Sequence, residues 1–291
     1  MREELRELWR YRELLWAMVE RELRIRYKNS VLGFFWSLVN PLATVLVITV
    51  VFKYVMQNGT ENYSAYVLAA YLPFIFFQIC LMDSAQSVLQ AVPIIRKVYF
   101  PREILPLCTV FANFIHLLMA LAVYFLYLFV LWAVTGFETS PFTWTIGFLP
   151  FLLVVNLALA TGMSFLISAY NVFYEDVKYV IGVALYLMFF LTPVMYFSDT
   201  VYYAAQSRGM MWLYYLYHLN PVAMLSTAYR KTLVPTGKIE VVPEPGKAPQ
   251  QIYMLEFDWA LFWVTVATSF LLLVVGYHVF NRLKWRFVER P

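Results

Sequence analysis

Residues able to do covalent or metal chemistry are few in this sequence, and they are scattered. The three histidines, His116, His218 and His278, lie in different segments, and the two cysteines lie inside apolar runs. Neither a His-Glu-x-x-His helix nor a Gly-x-Ser-x-Gly elbow is present. The Gly-x-x-x-x-Gly-Lys-Ser/Thr loop, whose backbone amides cradle phosphates, is also missing. The sequence therefore predicts no catalytic residue, no metal site and no ATP hydrolysis by this chain itself.

One ionisable residue, Asp83, lies inside a long apolar run. Placing a charged group at such depth costs roughly several kcal/mol of free energy unless the group faces water, a partner or the interior of a helix bundle. Ser84, Gln86 and Ser87 nearby favour a polar stripe that packs against a neighbouring helix. We interpret Asp83 as an intramembrane polar candidate in which a structural role outweighs a role in transport.

A short basic and aromatic segment, residues 93–103, joins two apolar runs and contains Arg96-Lys97-Val98-Tyr99-Phe100-Pro101-Arg102-Glu103. It is too short to be a domain, and its mixture of cations and rings is typical of a surface that docks another protein. The positive-inside rule alone would also explain its Arg and Lys residues. Both interpretations remain open on the residues alone.

The composition predicts an all-α polytopic membrane protein. Of 291 residues, 62% are hydrophobic and only 14% are charged, whereas soluble domains carry about 25% charged residues. A net charge of +4 does not indicate nucleic acid as a partner, because the cations are concentrated in particular segments. Six transmembrane helices are predicted, each near the roughly 20 residues that a bilayer requires: 31–52, 65–92, 104–135, 143–170, 177–197 and 259–280.

The N-terminal segment, residues 1–30, is predicted to be an amphipathic interface helix. Leu5, Leu8, Trp9, Leu15 and Trp16 recur at helical spacing among charged residues. Two acid-base pairs, Glu20 with Arg24 and Glu22 with Arg26, stand four apart in the favourable order. No apolar core with a cleavage site follows Met1, so insertion is expected to depend on the internal spans. Alternating spans place sixteen Lys and Arg inside and six outside, which predicts that both termini are cytoplasmic.

Two further features concern the outer face and the packing of the spans. Residues 198–233 are rich in aromatic side chains and too short on either side of Gly209 and Pro221 to span, so we predict two outer re-entrant helices. Residues 234–258 form an external loop, with a small hairpin near 238–242. In the fourth span, Ala160, Ser164 and Ser168 repeat a small residue every fourth position, which permits close helix approach.

Four phrases resemble one family throughout the chain. They are LGFFWSLVNPL at 32–42, KVYFPREILP at 97–106, TPVMY at 192–196, and LNPV at 219–222 followed by Tyr229-Arg230. Together, and in this order, they resemble the ABC-2 type permeases of the polysaccharide-export branch. Members of that branch move lipid-linked O-antigen, capsular polysaccharide or teichoic acid across the bacterial inner membrane.

The resemblance implies a homodimer bound to two ATPase subunits, which would hold ATP and Mg²⁺, with a lipid-linked glycan as substrate and membrane lipid around the spans. The implied ATPase-coupling residues are Arg96, Lys97, Tyr99, Phe100, Pro101, Arg102, Glu103, Arg21 and Arg24. The candidate channel-lining residues are Phe35, Trp36, Tyr186, Phe189, Phe190, Tyr196, Tyr202, Tyr203, Trp212 and Tyr215. Flat rings bind the C–H faces of sugars and tolerate sliding along a polymer, although aromatic belts at membrane interfaces explain many Tyr and Trp residues as well.

Two alternatives stay open. One is an ABC-2 permease for a smaller lipid or a drug, which the density of aromatic residues disfavours. The other is a membrane-bound transferase that acts at the outer face through His218, Asp199 or Glu256, which the lack of a clustered catalytic set in the sequence disfavours.

Overall fold

The computed structural model describes residues 2–27, 35–51, 63–134, 140, 142–234, 238–241 and 250–288. Within them the chain is almost wholly α-helical. The helices, in order, are α1 Arg2–Arg10, α2 Arg12–Tyr27, α3 Phe35–Thr49, α4 Tyr63–Ile95, α5 Ile104–Val134, α6 Leu149–Phe173, α7 Val177–Leu191, α8 Ser198–Ser207, α9 Met211–His218, α10 Pro221–Leu233 and α11 Trp259–Leu283. A 3-10 turn precedes α6 at Trp144–Phe148, and another follows α11 at Lys284–Val288.

Four of the described helices are long and apolar enough to cross a membrane: Tyr63–Ile95, Ile104–Val134, Trp144–Phe173 and Trp259–Phe287. They occupy the residues predicted as the second, third, fourth and sixth spans. The protein is therefore a multi-pass membrane protein. Two further apolar helices, α3 and α7, have 15 residues each, or about 22 Å at 1.5 Å per residue, less than the roughly 30 Å hydrocarbon core.

The predicted first and fifth spans differ from α3 and α7 for separate reasons. Residues 31–34 and 52 of the first prediction lie outside the described residues. Helix α7 ends at Leu191, six residues before the predicted end at 197, and Thr192 adopts an extended conformation with ψ 141°. The cause is Pro193, because a proline ring disfavours the helical conformation of the residue before it.

Helix α6 lies at the centre of the bundle. It packs most extensively against α11 and also contacts α4, α5, α7 and α10. Backbones of α6 and α11 nearly touch: a Cβ atom on Gly276 would lie 2.2 Å from the carbonyl oxygen of Gly162, and one on Gly162 would lie 2.5 Å from the backbone carbon of Leu272. Small residues at helix crossings allow such dispersion contact, which is the main attraction between helices in lipid.

Buried polar side chains fasten α6 and α5 to α4. Asn171 donates a 2.7 Å hydrogen bond to the carbonyl of Ala85, and the hydroxyls of Ser84 and Thr109 lie 2.9 Å apart. Ser164, one of the predicted small residues, faces the carbonyl of Cys80 at 3.4 Å. The predicted stripe therefore faces α4, whereas the closest backbone approach occurs at Gly162 on α11.

The segment between α10 and α11 contains two short antiparallel strands, β1 Lys238–Val241 and β2 Gln250–Tyr253, with Lys238 opposite Tyr253 and Val241 opposite Gln250. They lie where the sequence predicted a small hairpin. Residues 242–249 between them lie outside the described residues.

Candidate functional site

The loop between α4 and α5 divides into an exposed half and a buried half. Arg96, Lys97, Val98 and Tyr99 are exposed, with Val98 and Tyr99 at 60% and 65%. The Tyr99 hydroxyl donates a 3.1 Å hydrogen bond to Glu7 of α1, and this hydrogen bond raises the pKa of Tyr99. This hydrogen bond joins the loop to the N-terminal helix, both of which were predicted as coupling elements, and we call residues 3–10 and 96–99 the candidate docking surface.

Phe100, Pro101 and Glu103 were predicted on the same surface, but the structure buries all three. Phe100 belongs to an apolar cluster with Leu105, Phe280 and Phe287, against which side chains of α1 and α2 pack. The apolar faces of the N-terminal helices therefore rest partly on protein, while Trp9 and Trp16 remain 70% and 59% exposed.

Glu103 forms a buried ion pair with Lys284 at the end of α11, with 2.6 Å between Oε1 and Nζ. Glu103 is 2% exposed and Lys284 7% exposed. The Arg102 guanidinium donates to the Lys284 carbonyl and lies over the Trp285 ring. Burial lowers the pKa of Arg102. Sequence reasoning did not predict this network, which joins the loop to the last helix.

Asp83 belongs to a three-residue polar cluster with Arg26 and Asn113. Arg26 of α2 forms an ion pair with Asp83 and donates a 2.8 Å hydrogen bond to Asn113. Asn113 in turn donates a 3.0 Å hydrogen bond to Asp83. Arg26 therefore turns away from Glu22, its predicted partner. The other predicted pair, Glu20 with Arg24, does form, on the exposed side of α2.

Of the remaining coupling candidates on α2, Arg21 and Arg24 are exposed. The aromatic candidates on α7 behave differently from one another. Tyr186 and Phe190 are 62% and 49% exposed, whereas Phe189 packs against Tyr71 and Phe74 of α4 at ring-centroid distances of 6.2 and 5.5 Å. Phe35 and Trp36 lie at the start of α3, and their side chains fall outside what the structure describes.

Where the sequence analysis predicted two re-entrant helices, the structure has three short ones, α8, α9 and α10, which carry the remaining aromatic candidates. The hydroxyls of Tyr196 and Tyr217 lie 3.0 Å apart, and Tyr202 stacks edge to face on Tyr203 and Tyr214. Trp212 and Tyr215 are 61% and 50% exposed. The structure thus presents Trp212 and Tyr215 to the surroundings and uses Tyr196 and Tyr202 partly for internal packing.

A buried arginine, which the sequence analysis quoted in a family phrase without giving it a role, holds α8, α9 and α10 in place. Arg230 of α10 is 4% exposed. Its guanidinium donates to the carbonyls of Pro193 at 2.7 Å, Val194 at 2.9 Å, Tyr196 at 2.8 Å and Tyr66 at 3.3 Å. Because Pro193 ends α7, several carbonyls there have no helical partner, and Arg230 supplies the missing donors.

The three residues of the outer-face enzyme alternative do meet. Asp199, His218 and Glu256 line one cavity of about 10 Å³, room for roughly one water molecule. Asp199 accepts a 2.7 Å hydrogen bond from the Leu255 amide and lies 3.7 Å from Lys231. His218 donates to the Tyr214 carbonyl at 3.1 Å, and burial lowers its pKa. The side chains of Asp199 and His218 are engaged with the fold, and a cavity of this volume is too small for a substrate.

Acidic, histidine and cysteine side chains do not group as metal ligands anywhere in the part of the chain that the structure describes.

Comparison with known proteins gives a consistent result. Residues 13–234 match the ABC-2 type transporter family. The O-antigen export system permease protein RfbA of Klebsiella pneumoniae is 28% identical over 277 residues, covering 95% of this chain and 94% of the relative. RfbA of Myxococcus xanthus is 30% identical, with 78% and 82% covered. The polysialic acid transport protein KpsM of Escherichia coli is 24% identical, with 75% and 80% covered. This chain belongs to the ABC-2 type transporter family of membrane permeases.

Proposed function

We propose that this protein is the membrane-spanning subunit of an ATP-driven exporter that moves a lipid-linked polysaccharide, of the O-antigen class, across the bacterial inner membrane. The observation that carries this proposal is the similarity, over 95% of the chain and 94% of the relative, to a permease named for O-antigen export. The third relative, KpsM, is named for polysialic acid transport, so the cargoes named for these relatives are long, polar glycans.

In the proposed topology the chain crosses the membrane six times, with α3 and α7 completing the set of four longer spans. The distribution of Lys and Arg supports cytoplasmic termini, because sixteen of the twenty-two lie in segments that this topology puts inside. The short outer helices α8, α9 and α10 are the re-entrant layer at the far face.

A homodimer is the proposed assembly. Helix α7 buries only Leu185, while Tyr179, Val180 and Val183 are more than 60% exposed. Helix α3 likewise exposes Leu46 and Val47. Two short apolar helices with so little burial in one copy favour a second copy as their partner, and the path for the glycan would run between the two copies.

Two ATPase subunits are proposed to bind the candidate docking surface. The sequence has no phosphate-binding loop of its own, so ATP and Mg²⁺ would be held by those partners. Tyr99 and Val98 are apolar or aromatic groups exposed among cations, a combination typical of interface anchors. The Glu103–Lys284 ion pair offers a route by which displacement of the loop is passed to α11.

Exposed rings at the outer face, Trp212 and Tyr215, are proposed to contact the glycan as it leaves. Ring faces bind sugars without fixing them at one position, which suits a moving polymer. Together with Tyr186 and Phe190 on α7, they would line the path between the copies.

The test combines two variants with reciprocal expectations. Tyr99→Ala should abolish co-purification of a P-loop ATPase in mild detergent and, with it, glycan export. The double variant Trp212→Ala and Tyr215→Ala should keep the ATPase bound while lowering export of the glycan to the cell surface. Each variant serves as the other's control for folding and membrane insertion.

Two results would overturn the proposal. A wild-type chain that purifies from its own host without any ATPase would remove the exporter assignment. The second result would come from a host that lacks this chain. If that host exports its surface glycan normally but no longer exports a small lipid or a drug, the protein transports the smaller substrate instead.

A further inference from the structure

A polar cleft opens beside the amphipathic helix, between α2 and the neighbouring ends of α4 and α5. Its volume is about 310 Å³, within the range of small-ligand pockets. The charged and amide side chains that line it are Arg21, Glu22, Arg26, Asp83, Gln86 and Gln90. Helix α4 is long and apolar enough to cross a membrane, and the cleft lies at its C-terminal end, next to the loop that leads to α5.

Polar groups on α4 follow one side of the helix. Asp83, Gln86 and Gln90 are spaced three and four residues apart, so they form a single stripe over about two turns. Such a stripe is costly against hydrocarbon. Apolar side chains border it, since Met82 and Ile94 also line the cleft and are 37% and 42% exposed. A polar floor with an apolar rim fits an amphiphile.

Two cations and two anions line the cleft, and one of each makes no ion pair within the described residues. Arg26 and Asp83 are paired with each other. Arg21 and Glu22 make no ion pair within the described residues, because Arg26 has left Glu22 for Asp83. The cleft therefore offers one cation and one anion, side by side on α2, to an incoming group.

From this arrangement we propose that the cleft binds a phospholipid headgroup that carries both a phosphate and a primary amine. Arg21 would contact the phosphate, and Glu22 would contact the ammonium. The acyl chains would leave past Met82 and Ile94 into the membrane. The lipid would thereby fasten the C-terminal half of α2 to α4 and α5. This proposal does not depend on the transported substrate.

The test is lipid titration of the detergent-purified full chain, followed by native mass spectrometry. Phosphatidylethanolamine should bind at least about tenfold more tightly than phosphatidylglycerol, because the neutral glycerol headgroup offers Glu22 no ammonium and leaves the negative charge of the lipid phosphate uncompensated. The double variant Arg21→Gln and Glu22→Gln should lose that preference. The matched control is Glu20→Gln with Arg24→Gln, an exposed ion pair that flanks Arg21 and Glu22 on α2 and does not line the cleft, and this variant should keep the preference.

Three outcomes would overturn the proposal. Equal affinity for the two lipids would remove the ammonium contact. An unchanged preference in the Arg21 and Glu22 variant would move the lipid elsewhere. A polyprenyl diphosphate that binds more tightly than phosphatidylethanolamine and displaces it would make the cleft a site for the diphosphate of a lipid carrier and not for a resident phospholipid.

Discussion

Replacing Arg230 should destabilise the outer layer more than replacing any exposed cation in the same region. Its guanidinium makes four hydrogen bonds to carbonyls of α4 and of the segment after α7. Hydrogen bonds from charged donors contribute about 1.5–3 kcal/mol each, so the gross upper limit is about 6–12 kcal/mol. Burying the charge of the guanidinium costs roughly several kcal/mol, and removing the guanidinium also removes this cost, so the net loss is smaller.

We therefore expect Arg230→Met to lower the free energy of unfolding by about 3–5 kcal/mol, a value similar to loss of one member of a buried ion pair. Arg230→Lys should fall between wild type and Met, because one ammonium cannot reach carbonyls that three guanidinium nitrogens serve. At about 2–4 °C per kcal/mol, Arg230→Met should lower the Tm by about 6–20 °C.

The assay is thermal unfolding of the detergent-purified protein, followed by intrinsic tryptophan fluorescence or by a thiol dye that reports exposure of the buried cysteines. Arg208→Gln is the matched control, since Arg208 follows α8 and is exposed. If Arg230→Met unfolds at the same temperature as the Arg208 variant, then Arg230 does not hold these carbonyls, and our account of the outer layer is wrong.

Two further predictions use the same thermal assay. Gly276→Ala should destabilise the protein by about 1–3 kcal/mol or more, because its Cβ would overlap the Gly162 carbonyl and force α6 and α11 apart. The control is Gly147→Ala, which should be neutral because there is open space around Gly147. Equal effects of the two variants would contradict the close crossing. Glu103→Gln should cost up to about 3–5 kcal/mol, because Lys284 would lose its 2.6 Å contact with Glu103 and keep the longer one with Glu4, 4.0 Å from its Nζ. Adding Lys284→Met should restore much of the loss, and a double variant no more stable than the single one would argue against the ion pair.

The long spans were the most predictable part of the fold. A run of apolar residues long enough to cross a bilayer has few other stable arrangements, and α4, α5, α6 and α11 lie on such runs. The end of α7 was less predictable, since the apolar run continues past Leu191 while Thr192 and Pro193 stop the helix. Hydropathy measures how favourably a side chain transfers from water into lipid, and it contains no information on the backbone restriction that a proline imposes.

Pairings between distant segments could not be predicted from sequence spacing. Glu20 and Arg24 pair as helical spacing indicates, but Arg26 instead meets Asp83 and Asn113, which are 57 and 87 residues away. Sequence spacing was equally unable to predict which residues of the loop between α4 and α5 are buried. A pattern of rings and charges indicated a surface, and only tertiary packing determined that Tyr99 faces outward while Glu103 faces Lys284.

The Glu103–Lys284 pair also has a consequence for biogenesis. The two residues are 181 positions apart, so Glu103 is synthesised and inserted long before the lysine that neutralises it. Until α11 joins the bundle, the carboxylate has no ammonium beside it, and the Arg102 guanidinium has no Lys284 carbonyl to bind. The loop therefore reaches its final shape only when the last helix is in place, so chains whose synthesis is incomplete lack the correctly formed loop.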